Sequence, residues 1–375
     1  MAKVIMQLLK QYRENAPLIN SMVKPANDEF QTVCCYLSGE SDGENDMEAR
    51  AKKTIYCGLN KRRLVWTNWR TVKTVAEAID QQQVDLLVCQ FRRTIPIGVA
   101  AALLSKRKPK VIGVLHGIVG GANSFSRKLV NYFAYKPLTK MVAVSDSGAE
   151  EIIKHNFSVR SEHIAVIENG VDTTQFQSKA IGSPENKQFI DGCADDDFIF
   201  MMVGRLAPVK NHVRALHAFR KIVSEHPQAK LVIVGRGSVE AQLQLLIDEM
   251  ELTKQVRLLG FRSDVPELLK RCDVFLMPSV RESFGMALSE AMLSGVPAIT
   301  SEGTGTQVLV PDNRYGYLVD PNSIESIYGA MKETINADEG VLQEKARLGR
   351  ERILENFTSE KMADKYEQLY RDVLA

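Results

Sequence analysis

Length, composition and charge place this chain among ordinary globular proteins. It has 375 residues, 45% hydrophobic and 25% charged, which is too long for one core and predicts roughly two or three domains. Lysine and arginine number 48 against 46 acidic residues, so the formal charge of +2 excludes a broad basic field for nucleic acid.

Short apolar runs alternate with helical segments along the chain, a pattern that predicts parallel α/β layering. Two comparable sets of strands indicate two doubly wound domains, which bind ligands at the carboxyl ends of their strands and would face each other across a cleft. A turn at 169–172 and a polar stretch up to Asp197 mark the boundary. The predicted strands are 4–9, 31–37, 54–57, 85–89, 111–115, 141–145 and 163–167 in the first half, and 198–203, 231–234, 256–259, 274–277, 297–300 and 316–319 in the second.

His116 and Gly117 directly follow the predicted strand 111–115. This position places an imidazole at the carboxyl end of a strand, with the room that a glycine leaves. Such a histidine either contacts a ligand or is satisfied by nearby backbone groups, and the spacing alone leaves both interpretations open.

Residues 124–140 read SFSRKLVNYFAYKPLTK and combine aromatic with basic side chains. A helix of this composition suits contact with an anionic membrane surface. The alternative is an amphipathic helix packed on its own sheet. The side chains concerned are Phe125, Arg127, Lys128, Tyr132, Phe133, Tyr135, Lys136 and Lys140.

Two cations lie in the loop that follows the predicted strand 198–203. Gly204 permits a tight turn, Arg205 and Lys210 supply the charges, and Asn211 is placed to cap the next helix. A departing diphosphate requires donors already in position, although an arginine and a lysine in one loop are also commonly solvated. The later Gly235-Arg236-Gly237 sequence is a weaker signal, since paired glycines after a strand usually mark only a turn.

The sequence predicts no metal site. Asp195, Asp196 and Asp197 are adjacent before a strand, which is typical of a solvated edge. The six cysteines contain no C-x-x-C pair and mostly lie in apolar runs, which indicates reduced thiols in a cytoplasmic protein. Residues 4–9 are too few for a signal sequence, and residues 95–104 fall far below the roughly 20 that a spanning helix needs.

The most informative stretch is 281–292, RESFGMALSEAM, closed by Ser-Gly-Val-Pro. Glu282 and Glu290 are eight positions apart, and a helix is predicted to begin near Gly285. The first N–H groups of a helix attract phosphate, and a glycine there leaves the backbone of Phe284, Gly285 and Met286 accessible. Carboxylates would repel a phosphate but accept hydrogen bonds from hydroxyls, so the stretch indicates a site for a sugar nucleotide.

Glu282 through Glu290 resembles the E-x(7)-E signature of retaining glycosyltransferase family 4, whose members have the two-domain GT-B fold. The resemblance is good from about residue 112 onward. It implies an acceptor domain at 1–170, a donor domain at 171–355 and a C-terminal helix at 356–375 that crosses back to the first domain. It also implies a glycan or lipid-linked acceptor, and a basic amphipathic helix at 124–140 that contacts the membrane.

The resemblance assigns roles to residues as follows. Arg205 and Lys210 match the family's G-R-x(4)-K, which contacts the diphosphate of a UDP- or GDP-linked sugar, while Glu282 reads the sugar and Glu290 the ribose. Arg236, Phe261 and the loop at Gly235 approach the nucleotide, and His116 lies beside the transferred sugar. The family's front-face route passes the acceptor proton to the departing phosphate, with no cofactor.

The resemblance thins before residue 100, where the family's glycine-rich loop after the first strand is replaced by KQYRENAP at 10–17. The acceptor side is therefore undetermined. Two rivals stay open: a sugar-nucleotide epimerase of similar shape, and a non-catalytic sugar-nucleotide-binding protein. An oxidoreductase is disfavoured because no G-x-G-x-x-G opens a helix after a strand.

Overall fold

A computed structural model describes residues 2–11, 17–24, 27–40, 50–60, 64–117, 125–156, 158–174, 176, 190 and 192–375. The chain divides into two compact units, one formed by residues 1–170 with 359–375 and the other by residues 171–358. Each unit contains one parallel sheet with helices, which confirms the predicted α/β class.

The first unit is built on seven parallel strands in the spatial order β3-β2-β1-β4-β5-β6-β7. Chain order reverses between β1 and β4, and a crevice for ligands is expected at such a reversal. The strands are β1 (Lys3–Gln11), β2 (Phe30–Ser38), β3 (Lys53–Tyr56), β4 (Leu86–Gln90), β5 (Lys110–Leu115), β6 (Lys140–Ala143) and β7 (Ile164–Val166). The described α-helices are α1 (Pro17–Ser21), α2 (Trp69–Gln81), α3 (Thr94–Leu104), α4 (Phe125–Tyr135), α5 (Asp146–His155) and, from the chain's end, α12 (Ser359–Leu374).

The central strands of the first unit are buried on both faces, which explains why they read as continuous apolar runs. One face is covered by α2 and α3, and the other receives α12. Tyr366 and Tyr370 of α12 join a buried cluster with Ile5 of β1 and Val88 of β4. The C-terminal helix is therefore part of the core of the first unit.

The second unit has six parallel strands in the order β10-β9-β8-β11-β12-β13, and chain order reverses between β8 and β11. The strands are β8 (Phe198–Val203), β9 (Ala229–Val234), β10 (Val256–Gly260), β11 (Val274–Met277), β12 (Ala298–Ser301) and β13 (Tyr317–Val319). The α-helices are α6 (His212–Glu225), α7 (Glu240–Glu249), α8 (Val265–Lys270), α9 (Met286–Leu293), α10 (Ile324–Ile335) and α11 (Glu339–Asn356).

Every predicted strand is present, and three details differ from expectation. Strand β6 ends at Ala143, because Ser145 caps α5 by accepting a hydrogen bond from the Gly148 N–H at 3.1 Å. Asp197 is buried and accepts from the Ala194 N–H at 2.7 Å, so the predicted solvated edge is wrong at that residue. Asn211 does not cap α6 with its side chain, because its φ of 64° turns the amide toward other loops.

Candidate functional site

The predicted cations lie at the carboxyl edge of the second sheet, where β8 ends. The loop is held against the next one by two backbone hydrogen bonds, from Gly204 N–H to Val234 O at 2.9 Å and from Leu206 N–H to Arg236 O at 3.0 Å. Arg205 is exposed, and no hydrogen bond or ion pair joins its guanidinium to the residues that the structure describes. Its charge is therefore available to an anion.

Lys210 and Glu282, which are 72 positions apart in sequence, form a hydrogen-bonded ion pair. The two side chains are 21% and 17% exposed, so the pair is largely, but not fully, removed from water. A backbone hydrogen bond from Val280 N–H to Val209 O at 2.9 Å joins their loops. The structure thus brings together a cation predicted for a diphosphate and a carboxylate predicted for a sugar.

Asn211 fixes this arrangement. Its side-chain amide donates to Pro278 O at 2.8 Å and to Pro321 O at 2.7 Å, and its oxygen accepts from Arg214 at 3.0 Å. One buried side chain therefore ties the loop after β8 to the loops after β11 and β13. His212 beside it is neutral at physiological pH, because burial, and secondarily the charge of Lys210, lower its pKa to about 4.

Helix α9 begins at Met286, as predicted, with Gly285 before it in the left-handed region at φ 95°. A Cβ at Gly285 would lie 2.9 Å from Thr306 Cγ2, so the conformation and the packing both require glycine. The Phe284 side chain is buried against Phe357, with ring centroids 5.7 Å apart. Any contact of Phe284 with a ligand is therefore limited to its backbone.

Glu290 lies about one turn into α9 and is partly buried. Burial raises the pKa of its carboxyl group to about 7. No donor among the described residues is hydrogen bonded to this carboxyl group. A ligand whose hydroxyl groups donate hydrogen bonds would satisfy this carboxyl group. The ribose predicted to bind Glu290 is such a ligand.

Gly235 has a structural role that the sequence did not indicate. A Cβ there would lie 1.9 Å from Gly204 O, and its N–H already donates to Gly260 O at 2.7 Å, so this amide is not free for a ligand. Arg236 and Phe261 are exposed on these adjacent loops, Phe261 at 72%. Both residues lie at the same edge of the sheet, and no described interaction joins either of them to the Lys210–Glu282 ion pair.

The sequence interpretation missed the loop that follows β12. Gly305 donates its N–H to Glu282 O at 2.9 Å, and a Cβ on it would meet Ser283 O at 2.1 Å. Thr306 is buried beside Gly285 and bonds to Thr300 at 3.0 Å. The sequence EGTGTQ at 302–307 carries paired glycines and threonines, a signal that points to close backbone packing.

His116 lies at the carboxyl edge of the first sheet and therefore belongs to a different unit from the residues described above. Its Nε2 is 2.7 Å from Gln90 Oε1, Gln90 Nε2 donates to Gln7 at 2.8 Å, and Gln7 donates to the Tyr370 hydroxyl at 3.0 Å. Because the Gln90 oxygen accepts, Nε2 of the imidazole carries the hydrogen. We call His116, Gln90, Gln7 and Tyr370 the histidine relay.

Burial lowers the pKa of His116 to about 4, and the nearby Asn169 side chain opposes this shift only partly. The ring is therefore neutral near pH 7. Phe91 packs against it with ring centroids 4.7 Å apart, is 44% exposed and adopts a φ of 70°. A left-handed backbone on a bulky residue costs energy and is commonly found at functional positions. Nothing in the sequence around Phe91 indicated this.

Among the residues that the structure describes, no group of three or more histidine, cysteine, aspartate or glutamate side chains is arranged to hold a metal ion. None of the described helices combines the length and apolar character required to cross a bilayer. All six cysteines are free thiols. The glycine-free loop predicted at 10–17 lies mostly outside the described residues.

Comparison with known proteins gives matches along most of the chain. Residues 184–351 match the family model "Glycosyl transferases group 1", and residues 29–175 match "Glycosyltransferase Family 4". The chain is 31% identical over 315 residues to an Escherichia coli UDP-Gal:alpha-D-GlcNAc-diphosphoundecaprenol alpha-1,3-galactosyltransferase, with 81% of this chain and 80% of the relative covered. It is 28% identical over 306 residues to an N-acetyl-alpha-D-glucosaminyl L-malate synthase of Bacillus anthracis, with coverages of 80% and 78%.

Solved structures share the fold. Anabaena HepE in complex with UDP and glucose superimposes with a TM-score of 0.83 at 19% identity, covering 99% of this chain and 100% of that one. Sucrose-phosphate synthase from Thermosynechococcus elongatus gives 0.79 at 17% identity, covering 99% of both chains. The fold is that of the GT-B glycosyltransferases. The chain belongs to the group 1 glycosyltransferases, family 4, as the E-x(7)-E resemblance predicted.

Proposed function

We propose that this enzyme transfers a sugar, with retention of configuration and without a metal ion, from a nucleotide diphosphate sugar to a lipid-linked glycan in bacterial surface polysaccharide synthesis. The observation that carries the proposal is the Lys210–Glu282 ion pair, with the exposed Arg205 on the same loop as Lys210. An ion pair of this kind can exchange partners: the ammonium turns to a diphosphate while the carboxylate accepts from sugar hydroxyls.

The leaving diphosphate gains negative charge as the glycosidic bond breaks. Arg205 and Lys210 would stabilise that charge, together with the first N–H groups of α9. The glycine at position 285 and the packing of Phe284 hold the helix start in place before substrate arrives. Preorganised donors lower the barrier because no reorganisation is needed at the moment of reaction.

Glu290 would hold the ribose. An ionised carboxylate accepts both hydroxyl hydrogens of a ribose diol, and this satisfies a carboxyl group that burial otherwise keeps near half protonation at pH 7. UDP is the first donor nucleotide to test. HepE was solved with UDP, and the E. coli relative uses UDP-galactose by its name.

The acceptor would bind at the carboxyl edge of the first unit, where Phe91 packs against His116. Since Gln90 engages Nε2 of His116, the buried Nδ1 is the atom that would accept from a sugar hydroxyl, while the exposed phenyl ring of Phe91 suits the apolar face of a pyranose. An acceptor linked to a lipid diphosphate is proposed because relatives named for diphosphoundecaprenol substrates match over much of the chain.

A second contact would be made with the membrane by helix α4, as the basic, aromatic composition of 124–140 suggests. Among the described side chains of 124–140, Tyr132 and Phe133 of α4 and Lys136 just after it are exposed, whereas Ala134 and Tyr135 are buried. The side chains of Phe125, Arg127 and Lys128 lie outside the described residues. The enzyme would then act at the cytoplasmic face of the membrane.

Product analysis tests the proposal. The purified enzyme is incubated with UDP- and GDP-sugars, in EDTA, with and without a synthetic lipid-diphosphate-linked N-acetylglucosamine. A disaccharide whose new linkage has the donor's anomeric configuration by NMR is expected. Isomerised donor without acceptor would instead indicate an epimerase, and nucleotide binding without any product would indicate a non-catalytic binder.

A further inference from the structure

Both tryptophans of the chain lie in one short segment of the first unit: Trp66 in the loop that follows β3, and Trp69 at the first position of α2. Trp69 is 63% exposed, Trp66 46% and Val65 48%, while Leu64 beside them is buried in the core. We call Val65, Trp66 and Trp69 the tryptophan patch. Tryptophan is usually highly buried, so two exposed indoles beside an exposed valine form a surface that a ligand or partner would stabilise.

The patch is presented by ordered backbone. Asn68 donates its N–H to Val65 O at 3.0 Å, and its side chain caps α2 by accepting from Arg70 N–H at 3.2 Å. Helix α2 packs into the core through Val72, Val75 and Ile79. The exposed indoles therefore lie at a helix start that is fixed against the core.

The chemistry of the patch fits the interface of a lipid bilayer. An indole has an apolar body and a polar N–H. It favours the headgroup region, where the apolar body contacts the acyl chains and the N–H remains hydrated. Arg70 is exposed next to Trp69, and Lys73 follows one turn later. Lys73 is 3.7 Å from Glu77, but both side chains are more than half exposed, so this ion pair is weak and the ammonium can turn to a headgroup phosphate. Cations beside interfacial aromatics favour anionic headgroups.

The position of the tryptophan patch in the first unit agrees with a membrane as its partner. All strands of the first sheet are parallel, so the start of α2 lies at the same edge of the sheet as Phe91 and His116. A bilayer that contacts the patch would therefore lie close to the edge at which we place the acceptor.

We propose that the tryptophan patch is an interfacial membrane anchor: Val65, Trp66 and Trp69 enter the headgroup region of an anionic bilayer, and Arg70 and Lys73 contact its phosphates. This inference is independent of the donor chemistry. It rests on the proposed function only in that a lipid-linked acceptor gives the contact a purpose.

Intrinsic fluorescence tests the anchor directly, because every tryptophan in the chain belongs to the patch. The full chain is titrated with phosphatidylglycerol vesicles and, separately, with phosphatidylcholine vesicles, without any sugar nucleotide. We expect a blue shift and co-sedimentation with the anionic vesicles, weakened by salt. The double variant Trp66→Ser/Trp69→Ser should lose sedimentation by at least tenfold.

Matched controls separate the patch from other surfaces. Leu103→Ser/Leu104→Ser changes exposed leucines of 64% and 41% in the same unit and should bind like wild type. Arg70→Glu/Lys73→Glu keeps both reporters and should bind less. The proposal is overturned if wild type shows no shift at millimolar lipid, or if Phe133→Ser on α4 abolishes binding while the tryptophan double variant retains it. Transfer to a water-soluble acceptor should be unchanged in the tryptophan variant, so loss of vesicle binding and loss of enzyme activity are distinguished.

Discussion

The carboxyl edges of the two sheets are built in different ways. In the second unit, neighbouring loops are joined by backbone hydrogen bonds that require glycines, as at Gly204, Gly235 and Gly305. In the described part of the first unit, the edge depends on side chains: the histidine relay beneath, and Phe91 with the tryptophan patch on the surface. A diphosphate needs charges at fixed positions, whereas an acceptor is recognised by surfaces that differ from one enzyme to another.

The largest effect is expected at the charged edge of the second unit. Lys210→Ala should reduce turnover by about 10²–10³-fold, the usual cost of removing one preorganised donor, with little change in thermal stability. Initial rates of transfer at saturating donor check this. Lys221→Ala is the control, since its ion pair with Glu325 is exposed and should contribute little. Unchanged transfer in the Lys210 variant would remove this residue from the site.

A glycine substitution tests whether close backbone contact holds that edge. Gly235→Ala places a Cβ 1.9 Å from Gly204 O at a φ of 140°, and should destabilise the protein by about 1–3 kcal/mol or more. Gly329→Ala is the matched control, because its Cβ meets no atom within 4 Å and α10 should gain about 0.5–1 kcal/mol. Thermal unfolding with and without UDP measures both, and equal melting temperatures would show that the contact is dispensable.

Glu290 links donor binding to pH. Its folded-state pKa of about 7 lies above the unfolded value, so its stabilising contribution is complete only below the unfolded pKa and is lost as pH rises through 7. Ribose binding requires the ionised form, and UDP affinity should therefore fall as pH decreases from 8 to 6.

Glu290→Gln should bind UDP about tenfold more weakly at pH 8 while melting at a higher temperature than wild type. Calorimetric titration across pH checks this, because the variant retains only the pH dependence of the diphosphate itself. If wild type and variant show the same slope of affinity against pH, Glu290 does not hold the ribose.

The smallest effect is expected in the histidine relay. Tyr370→Phe removes the acceptor of the Gln7 amide and should lower turnover a few-fold through the orientation of His116, with the KM for donor unchanged. Tyr366→Phe is the control, since this buried tyrosine of α12 takes no part in the relay. Steady-state kinetics with varied acceptor decide the matter, and equal effects of the two variants would indicate a purely structural role.

The sequence predicted the position of an element correctly where a local constraint, such as burial or backbone conformation, fixes it. Strands such as Phe198–Val203 and Val274–Met277 are where the apolar pattern placed them, because a buried parallel strand must be apolar on both faces. The helix start at Met286 was predicted from Gly285, whose left-handed conformation leaves few alternatives. The prediction that Asn211 caps α6 is wrong, since its side chain donates hydrogen bonds to the carbonyl groups of Pro278 and Pro321 and accepts none from the backbone N–H groups of its own helix.

The sequence by itself determined the α/β class, the strand positions and the charged residues of the second unit, because these depend on local periodicity and on a short motif. Only the tertiary structure decided that Lys210 meets Glu282, that Gly235 packs on Gly204, and that Tyr370 reaches His116 through two glutamines. These contacts join residues from separate strands and helices. Which residues meet in these contacts depends on the order of the strands in each sheet, and a local sequence pattern does not contain that order.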